Sequence, residues 1–291
     1  MIRKRLNLAG TGTGMVRAPG VYDGLSARVA ASIGFDALYV TGYGVSFSLG
    51  HPDAGLVTYS EMVERVAVIA DVTDIPLICD ADTGFGGAAN IRRTVRGYES
   101  AGAAAIQIED QISPKKCGHT DGRLVASVEE MEVRIKVAAD SRRSEHTQII
   151  ARTDARTTLG LSEAIDRAHR YSEAGADVLF IEAPENVDEL IKITSSLKGP
   201  LLVNMVVRGK TPMVSARQLE EMGFAIAIYP SIGFASIAQT LAVAYRHLKE
   251  HPDAIDFPVD FYGQDEAPGA LHRLAGFPEV WDLERRFEIK R

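Results

Sequence analysis

Two stretches of this chain gather residue types that ordinary packing does not select. "CDADTGFGG", residues 79–87, closes an apolar run with Asp80 and Asp82 and continues into glycines. "IEDQISPKKCGHTDGR", residues 108–123, closes another run with Glu109 and Asp110. It then carries Lys115, Lys116, Cys117, Gly118 and His119 in a polar, glycine-flanked segment. Polar groups end other apolar runs as well: Arg152 and Asp154 in "QIIARTD", Glu182 in "VLFIEA" and Asn204 in "LLVNM", while Asp53 sits in "LGHPDAG". Acids gathered at one place repel each other, and a hard divalent cation relieves that repulsion. Oxygen donors without a histidine cluster or a thiolate pair favour magnesium, or manganese, over zinc. Magnesium keeps several of its waters, so one direct carboxylate suffices if the others act through water.

Cys117 is one of only two cysteines. A free thiol has a pKa of about 8.5, which neighbouring cations lower, and Lys115, Lys116 and His119 are expected to act in that direction. The thiol could serve as a nucleophile or as a proton donor. A nucleophile needs a paired base oriented by a third group, and His119, two residues away, is too local for that. Proton donation from a mobile loop fits better: Gly118 and Gly122 let the loop move, and its closure excludes water. Asp110 and Asp154 are open between a site role and loop capping, and Arg152 between substrate binding and structural pairing. Cys79, within an apolar run, reads as core, and the remaining histidines are assigned no chemistry.

These residues need a scaffold that brings separate run ends together. The runs span 15–21, 37–42, 77–84, 105–110, 148–154, 178–183, 201–205 and 226–231, and a stretch with helical spacing follows each. Short, nearly continuous apolar strands alternating with amphipathic helices pair in parallel with both faces covered. No G-x-G-x-x-G follows the first run, so an open dinucleotide-binding sheet fits less well than a closed (β/α)8 TIM barrel. In that fold the chemistry sits where strands end and the following loops begin. Period-two alternation then places Asp80 and Asp82 on one side of the third strand, with Ala81 on the other. The repeat fills residues 1–250. Residues 251–291 read as a Pro/Asp/Gly-rich linker followed by a short amphipathic helix, "FPEVWDLERRFEIK", carrying the only tryptophan.

The totals agree with one large globular unit of 291 residues, 46% hydrophobic. A net charge of −7 argues against a nucleic-acid surface. No apolar run approaches the roughly 20 residues needed to span a bilayer. The start, "MIRKRLNLAG", has no apolar core behind its basic residues and is not expected to be a secretory signal. Two cysteines at unrelated positions suit a reducing compartment, so a cytoplasmic protein acting on a small molecule, without nucleic-acid or membrane partners, is expected.

"KKCGH" (115–119), taken with "CDADTGFGG", "IEDQ" (108–111), "ARTDA" (151–155), Glu182-Ala183, "LGHPDAG" (49–55) and "VNM…GKTP" (203–212), resembles the isocitrate lyase and phosphoenolpyruvate mutase superfamily, in the same order and over almost the whole chain. The resemblance implies a barrel whose C-terminal helix is exchanged between subunits of a homotetramer, a dimer of dimers. It implies magnesium on Asp82, with Asp53, Asp80 and Glu109 acting through water. Lys115, Cys117 and His119 match gating-loop residues, the cysteine being the acid. Arg152, Glu182 and Asn204 match substrate-binding positions, with Gly118 beside them. "YVTGYG" (39–44) matches a backbone site for an α-keto acid carboxylate at Thr41, Gly42 and Tyr43, where the family usually has Ser-Gly. Tyr39 matches a tyrosine that is one candidate base, a water on the ion being the other. The short chain is like 2-methylisocitrate lyase and the dimethylmalate lyase and oxaloacetate hydrolase group, and its thiol sets it apart from the phosphoryl mutases. The implied activity is magnesium-dependent carbon–carbon cleavage of a substituted 2-hydroxy di- or tricarboxylate to an α-keto acid and a carboxylate. An oxaloacetate hydrolase, or a P–C bond phosphonomutase, is the alternative.

Overall fold

The computed structural model describes residues 14–120, 122–251 and 269–287. Eight strands alternate with helices and close into a parallel barrel in sequential order, each strand pairing with its chain neighbours and the last with the first. The strands are β1 Val16–Val21, β2 Leu38–Val40, β3 Leu77–Asp80, β4 Ala105–Glu109, β5 Gln148–Thr153, β6 Val178–Ile181, β7 Leu201–Asn204 and β8 Ile226–Tyr229. Several stop short of the apolar runs that announce them. The chain turns away at the mouth of the barrel, and residues such as 81–84 are loop rather than strand.

Alternation along each strand divides the core in two. Ile78, Ala105, Ile150, Val178, Phe180, Leu202 and Ile226 pack inside the barrel. Leu77, Cys79, Ile106, Ile108, Ile149, Ala151 and Val203 face the helices. Two residues beyond an inward apolar side chain, the next inward position lies nearer the mouth. Asp80 thus follows Ile78, Gln107 and Glu109 follow Ala105, Arg152 follows Ile150, Glu182 follows Phe180, and Asn204 follows Leu202. The site is the upper layer of the same alternation that builds the core.

The helices are α1 Gly24–Ile33, α2 Gly42–Ser48, α3 Tyr59–Val72, α4 Ala88–Ala101, α5 Val128–Ser141, α6 Ala155–Leu159, α7 Leu161–Glu173, α8 Val187–Ser196, α9 Ala216–Met222 and α10 Ile232–Glu250. Capping boxes start α1, α3 and α9, where a side-chain oxygen satisfies an orphan N–H and the third helical residue reaches back. The short α2 and α6 carry no clear periodicity in the sequence, and both sit at the mouth. The expected linker lies outside the described residues over 252–268. Beyond it, α11 Ala270–Leu274 and α12 Phe277–Arg286 follow, and α12 is the amphipathic segment carrying Trp281. Leu241, Val243, Tyr245 and Leu248 of α10, and Val280, Trp281 and Leu283 of α12, remain exposed.

Candidate active site

At the C-terminal mouth, Asp82 and Glu109 are immediate neighbours: the N–H of Glu109 donates to the Asp82 carbonyl at 2.9 Å. Asp82 does not reach this place by simple alternation. Strand β3 ends at Asp80, and Asp82 takes a left-handed φ of 47°. Its N–H then donates to Asp80 Oδ1 at 3.1 Å. Phe85, Ala183 and Arg208 also have positive φ, in the loops after β3, β6 and β7. Left-handed conformations of this kind cost about 1–3 kcal/mol each and concentrate where function demands a particular backbone.

Residues 111–120 and 122–125 fold over this mouth as a lid, its two ends joined by a bridge between Gln111 and Val125. The Gln111 side chain shapes it by donating to the Lys116 carbonyl and accepting the Lys116 N–H, both at 2.9 Å. Lys115 Nζ pairs with Asp53 and lies 2.8 Å from Asp82 Oδ1. Burial alone would lower the Lys115 pKa, but the carboxylates of Asp82 and Asp53 outweigh it and hold the ammonium well above its usual value. Burial pushes Asp82 up to about 6, against the pull of Lys115. Burial also raises Glu109, against Arg152, and Glu109 Oε1 is buried without a hydrogen-bond partner.

Asp82 and Glu109 are acids whose charges lie too deep to be comfortable ionised, which is what a hard cation would relieve. Among the described residues, no three His, Cys, Asp or Glu converge closely enough to chelate one ion. A closed zinc-like centre therefore does not fit, while a single direct carboxylate with others acting through water does.

Arg152 is the charged centre of the pocket floor. Its guanidinium meets Asp154 through Nε at 2.9 Å, Glu109 through Nη1 at 3.3 Å and Glu182 through Nη2 at 3.4 Å. The structural pairing is present, since Asp154 fixes one edge of the guanidinium, and the residue also lines the cleft. Asp110 points the other way, into the helical layer. There it accepts from Thr153, Tyr171 and the Asp154 N–H, and pairs with Arg167. It belongs to the frame.

His119 hangs from the lid between β6 and β7. The Lys210 N–H donates to its Nδ1 at 3.2 Å, so the neutral ring carries its proton on Nε2, which lies 3.5 Å from Glu182 Oε1. Burial lowers the His119 pKa, only partly countered by Glu182, and the ring stays neutral. Asn204 Nδ2 donates to Glu182 Oε2 at 3.1 Å.

Cys117 is half-buried rather than exposed, and the expected lowering of its pKa is reversed. Burial raises the thiol, with the His119 backbone N–H opposing it. Lys115 is committed to Asp53 and Asp82, His119 is neutral, and the Lys116 ammonium turns to the Gly122 carbonyl. The Arg152 cation also works against the rise, but burial outweighs it. The thiol keeps its proton.

Tyr39 is buried, and its hydroxyl donates to Gln107 Oε1 at 3.2 Å. Burial, then Asp80, raises its pKa well above the usual value, so the residue is a phenol. Thr41 caps α2, accepting the Gly44 N–H at 3.3 Å, and Gly42 packs so tightly that a Cβ there would lie 2.8 Å from Asp80 Oδ2. A cleft of about 120 Å³ joins these groups. One wall is Tyr39, Asp80, Arg152, Glu182 and Asn204, and the lid contributes Lys115, Cys117, Gly118 and His119. Tyr43, Val206, Pro230 and Phe234 add apolar lining. At roughly 10–15 Å³ per water-sized body, the space suits a ligand of about ten non-hydrogen atoms.

Three residues that work here were not singled out by type and spacing. Gln107 ties Tyr39 to Asp80, donating to Asp80 Oδ1 at 3.3 Å; an amide between Ala105 and Glu109 on a barrel strand was the available signal. Gln111 and Arg123 gave none, because their partners are distant in sequence or backbone atoms.

Gly118 is held against Arg152 and Glu182: a Cβ there would overlap Arg152 Nη2 and lie 2.8 Å from Glu182 Cγ. Overpacking of this kind costs about 1–3 kcal/mol. Gly118→Ala should therefore lower kcat/KM by about tenfold to hundredfold with little change in thermal stability, since only the closed lid is affected. Unchanged steady-state kinetics would contradict the closed-lid geometry.

Comparison with known proteins agrees with this layout. The family model described as phosphoenolpyruvate phosphomutase matches residues 6–249. A 2,3-dimethylmalate lyase from Eubacterium barkeri is 45% identical over 270 residues, 92% of this chain and 89% of the relative. A 2-methylisocitrate lyase from Aeropyrum pernix is 43% identical, covering 94% of this chain and 85% of the relative. A solved structure of oxaloacetate acetylhydrolase with the inhibitor 3,3-difluorooxalacetate superposes with a TM-score of 0.91 at 33% identity, covering 97% and 95% of the two chains. A closed eightfold barrel, a thiol-bearing lid over buried acids, and a family match across most of the sequence lead to one statement: this chain belongs to the phosphoenolpyruvate mutase/isocitrate lyase superfamily.

Proposed function

We propose that the protein is a magnesium-dependent carbon–carbon lyase that cleaves a substituted 2-hydroxy di- or tricarboxylate into an α-keto acid and a second carboxylate. One observation carries the reading: a protonated thiol, Cys117, lines the same small cleft as Arg152 and the buried acids. The named lyases among the relatives support it.

Asp82 would hold the ion directly, with Asp53, Asp80 and Glu109 through water; the ion supplies Lewis acidity, lowering the pKa of the substrate hydroxyl. Manganese would serve the same donors. Lys115 balances the charge of Asp53 and Asp82 beside that group. The backbone at Thr41, Gly42 and Tyr43 is offered to the carboxylate of the keto-acid half. Tyr39 gives its own hydrogen to Gln107 and, as a neutral phenol, would orient the substrate's hydroxyl rather than hold its proton, which would pass through a water to the cleft-lining carboxylate of Asp80. As that proton leaves, the C–C electron pair passes to the carbon next to the departing carboxylate. Arg152, braced by Asp154, stabilises the developing charge; one such preorganised donor is worth about 3–4 kcal/mol. Cys117 then gives its proton to the carbon. Glu182, Asn204 and His119 hold the lid and the cleft wall in register.

Incubation with 2,3-dimethylmalate, 2-methylisocitrate, isocitrate, oxaloacetate and phosphonopyruvate, with the products identified, tests the reading. An α-keto acid and a carboxylate from one of the first three are expected. Oxalate plus acetate from oxaloacetate alone would make the protein a hydrolase, and phosphoenolpyruvate from phosphonopyruvate a mutase. The exposed apolar side chains of α10 and α12 support a homotetramer with an exchanged C-terminal helix. Cys79 and Cys117, neither of them in a disulfide, support a cytoplasmic location. Among the described residues, no helix is long and apolar enough to cross a membrane.

A further inference from the structure

Arg123 has no part in the reaction as written, yet it is a guanidinium only 3% exposed. It stands on the returning limb of the lid and reaches down to the barrel. Its Nη1 donates to Asp154 Oδ1 at 2.5 Å and its Nη2 to Thr157 Oγ1 at 2.6 Å. The same carboxylate accepts Arg152, through Nε on Oδ2 and Nη2 on Oδ1, both at 2.9 Å. One carboxylate is thus shared by a lid arginine and the arginine that faces the cleft.

The two sides of that bridge differ in freedom. The Asp154 N–H is tied to Asp110 Oδ1 at 2.9 Å, and Asp110 is fixed in turn by Thr153, Tyr171 and Arg167. Asp154 therefore stays with the barrel, and Arg123 is the half that travels with the lid. While Arg123 is docked, it shares the Asp154 charge, and Arg152 can extend toward Glu109 and Glu182 over longer contacts of 3.3 and 3.4 Å. With Arg123 gone, Asp154 would have Arg152 as its sole guanidinium and hold it harder against the wall, away from an incoming carboxylate.

We propose that Arg123 is a positioning residue: docking on Asp154 latches the closed lid and, through that shared carboxylate, sets Arg152 for the substrate. The effect on turnover rests on the lyase reading above; the latch does not.

The lid carries its own reporter. Cys117 is half-buried on the lid, whereas Cys79 is fully buried in the core, so the rate of thiol labelling by dithiobis-nitrobenzoate reports lid opening, with Cys79 as the control for unfolding. Arg123→Gln removes a buried, charge-assisted pair, and Cys117 should label at least about tenfold faster while Cys79 labelling is unchanged. Arg123→Lys, which keeps one charged contact, should fall between. An unchanged Cys117 rate in Arg123→Gln overturns the latch. Should that variant fail to fold, Thr157→Val decides in the same way, since it removes only the Nη2 partner: faster labelling supports the latch and an unchanged rate overturns it.

On 2,3-dimethylmalate, Arg123→Gln should raise KM and lower kcat, each by several-fold, with Arg123→Lys recovering part of both. Faster labelling with unaltered kcat and KM would overturn the positioning of Arg152. If wild-type enzyme does not turn over any substrate of the panel, the lyase reading has failed, and labelling alone still decides the latch.

Discussion

Cys117→Ser is expected to lower kcat by about 10²–10⁴-fold, the range a positioned general acid contributes, while magnesium uptake measured by isothermal titration stays at its wild-type value. Serine preserves the volume and the backbone contacts of the lid, including the Cys117 N–H that donates to the Asp53 carbonyl at 3.1 Å. What changes is the acid. A hydroxyl is far weaker than a thiol, and nothing in the cleft compensates, since His119 is neutral and Lys115 is committed to two carboxylates. The loss should therefore fall on kcat rather than KM. A serine variant with near-wild-type turnover on the substrate identified by the panel would remove Cys117 from the chemistry.

Asp82→Ala is expected to abolish both magnesium binding and catalysis. Asp82 is the acid to which Lys115 reaches at 2.8 Å, and its carbonyl accepts the Glu109 N–H, so it stands where the deepest charges meet. Truncation removes the direct ligand while leaving Asp53, Asp80 and Glu109 in place as weaker, outer donors. The expected readings are a flat magnesium titration and activity at the background of the assay. Asp82 has a left-handed φ of 47°, so Asp82→Asn, which tolerates that conformation better than alanine does, separates the ligand from the turn. It should keep the wild-type melting temperature and still fail to bind magnesium. Unchanged magnesium uptake in both variants would place the ion elsewhere.

Much of this was legible from residue order. Eight apolar runs of strand length, alternating with helical stretches, specify a closed parallel barrel because each run is covered on both faces. Inward positions recur every second residue, so the polar groups that end the runs had to assemble at one mouth. Asp80, Glu109, Arg152, Glu182 and Asn204 follow from that rule, and the glycine-flanked lid with its cysteine is visible in "KKCGH".

Other features were settled only when distant segments came together. Glu109 and Asp110 are adjacent acids, and only the pleat of a closed strand sends one toward Arg152 and the other into the helical layer. Asp82 arrives through a left-handed turn that alternation does not describe. The Cys117 proton is the clearest case. Its neighbours in sequence promised a lowered pKa, but Lys115 found partners at positions 53 and 82, and burial under the lid reversed the sign. Asp154 gained its meaning from Arg123 and Arg152 in the same way. Backbone sterics act between neighbouring residues and can be read along the chain. Desolvation and Coulomb interactions sum over every group packed nearby, and which groups those are is decided by the closure of the barrel.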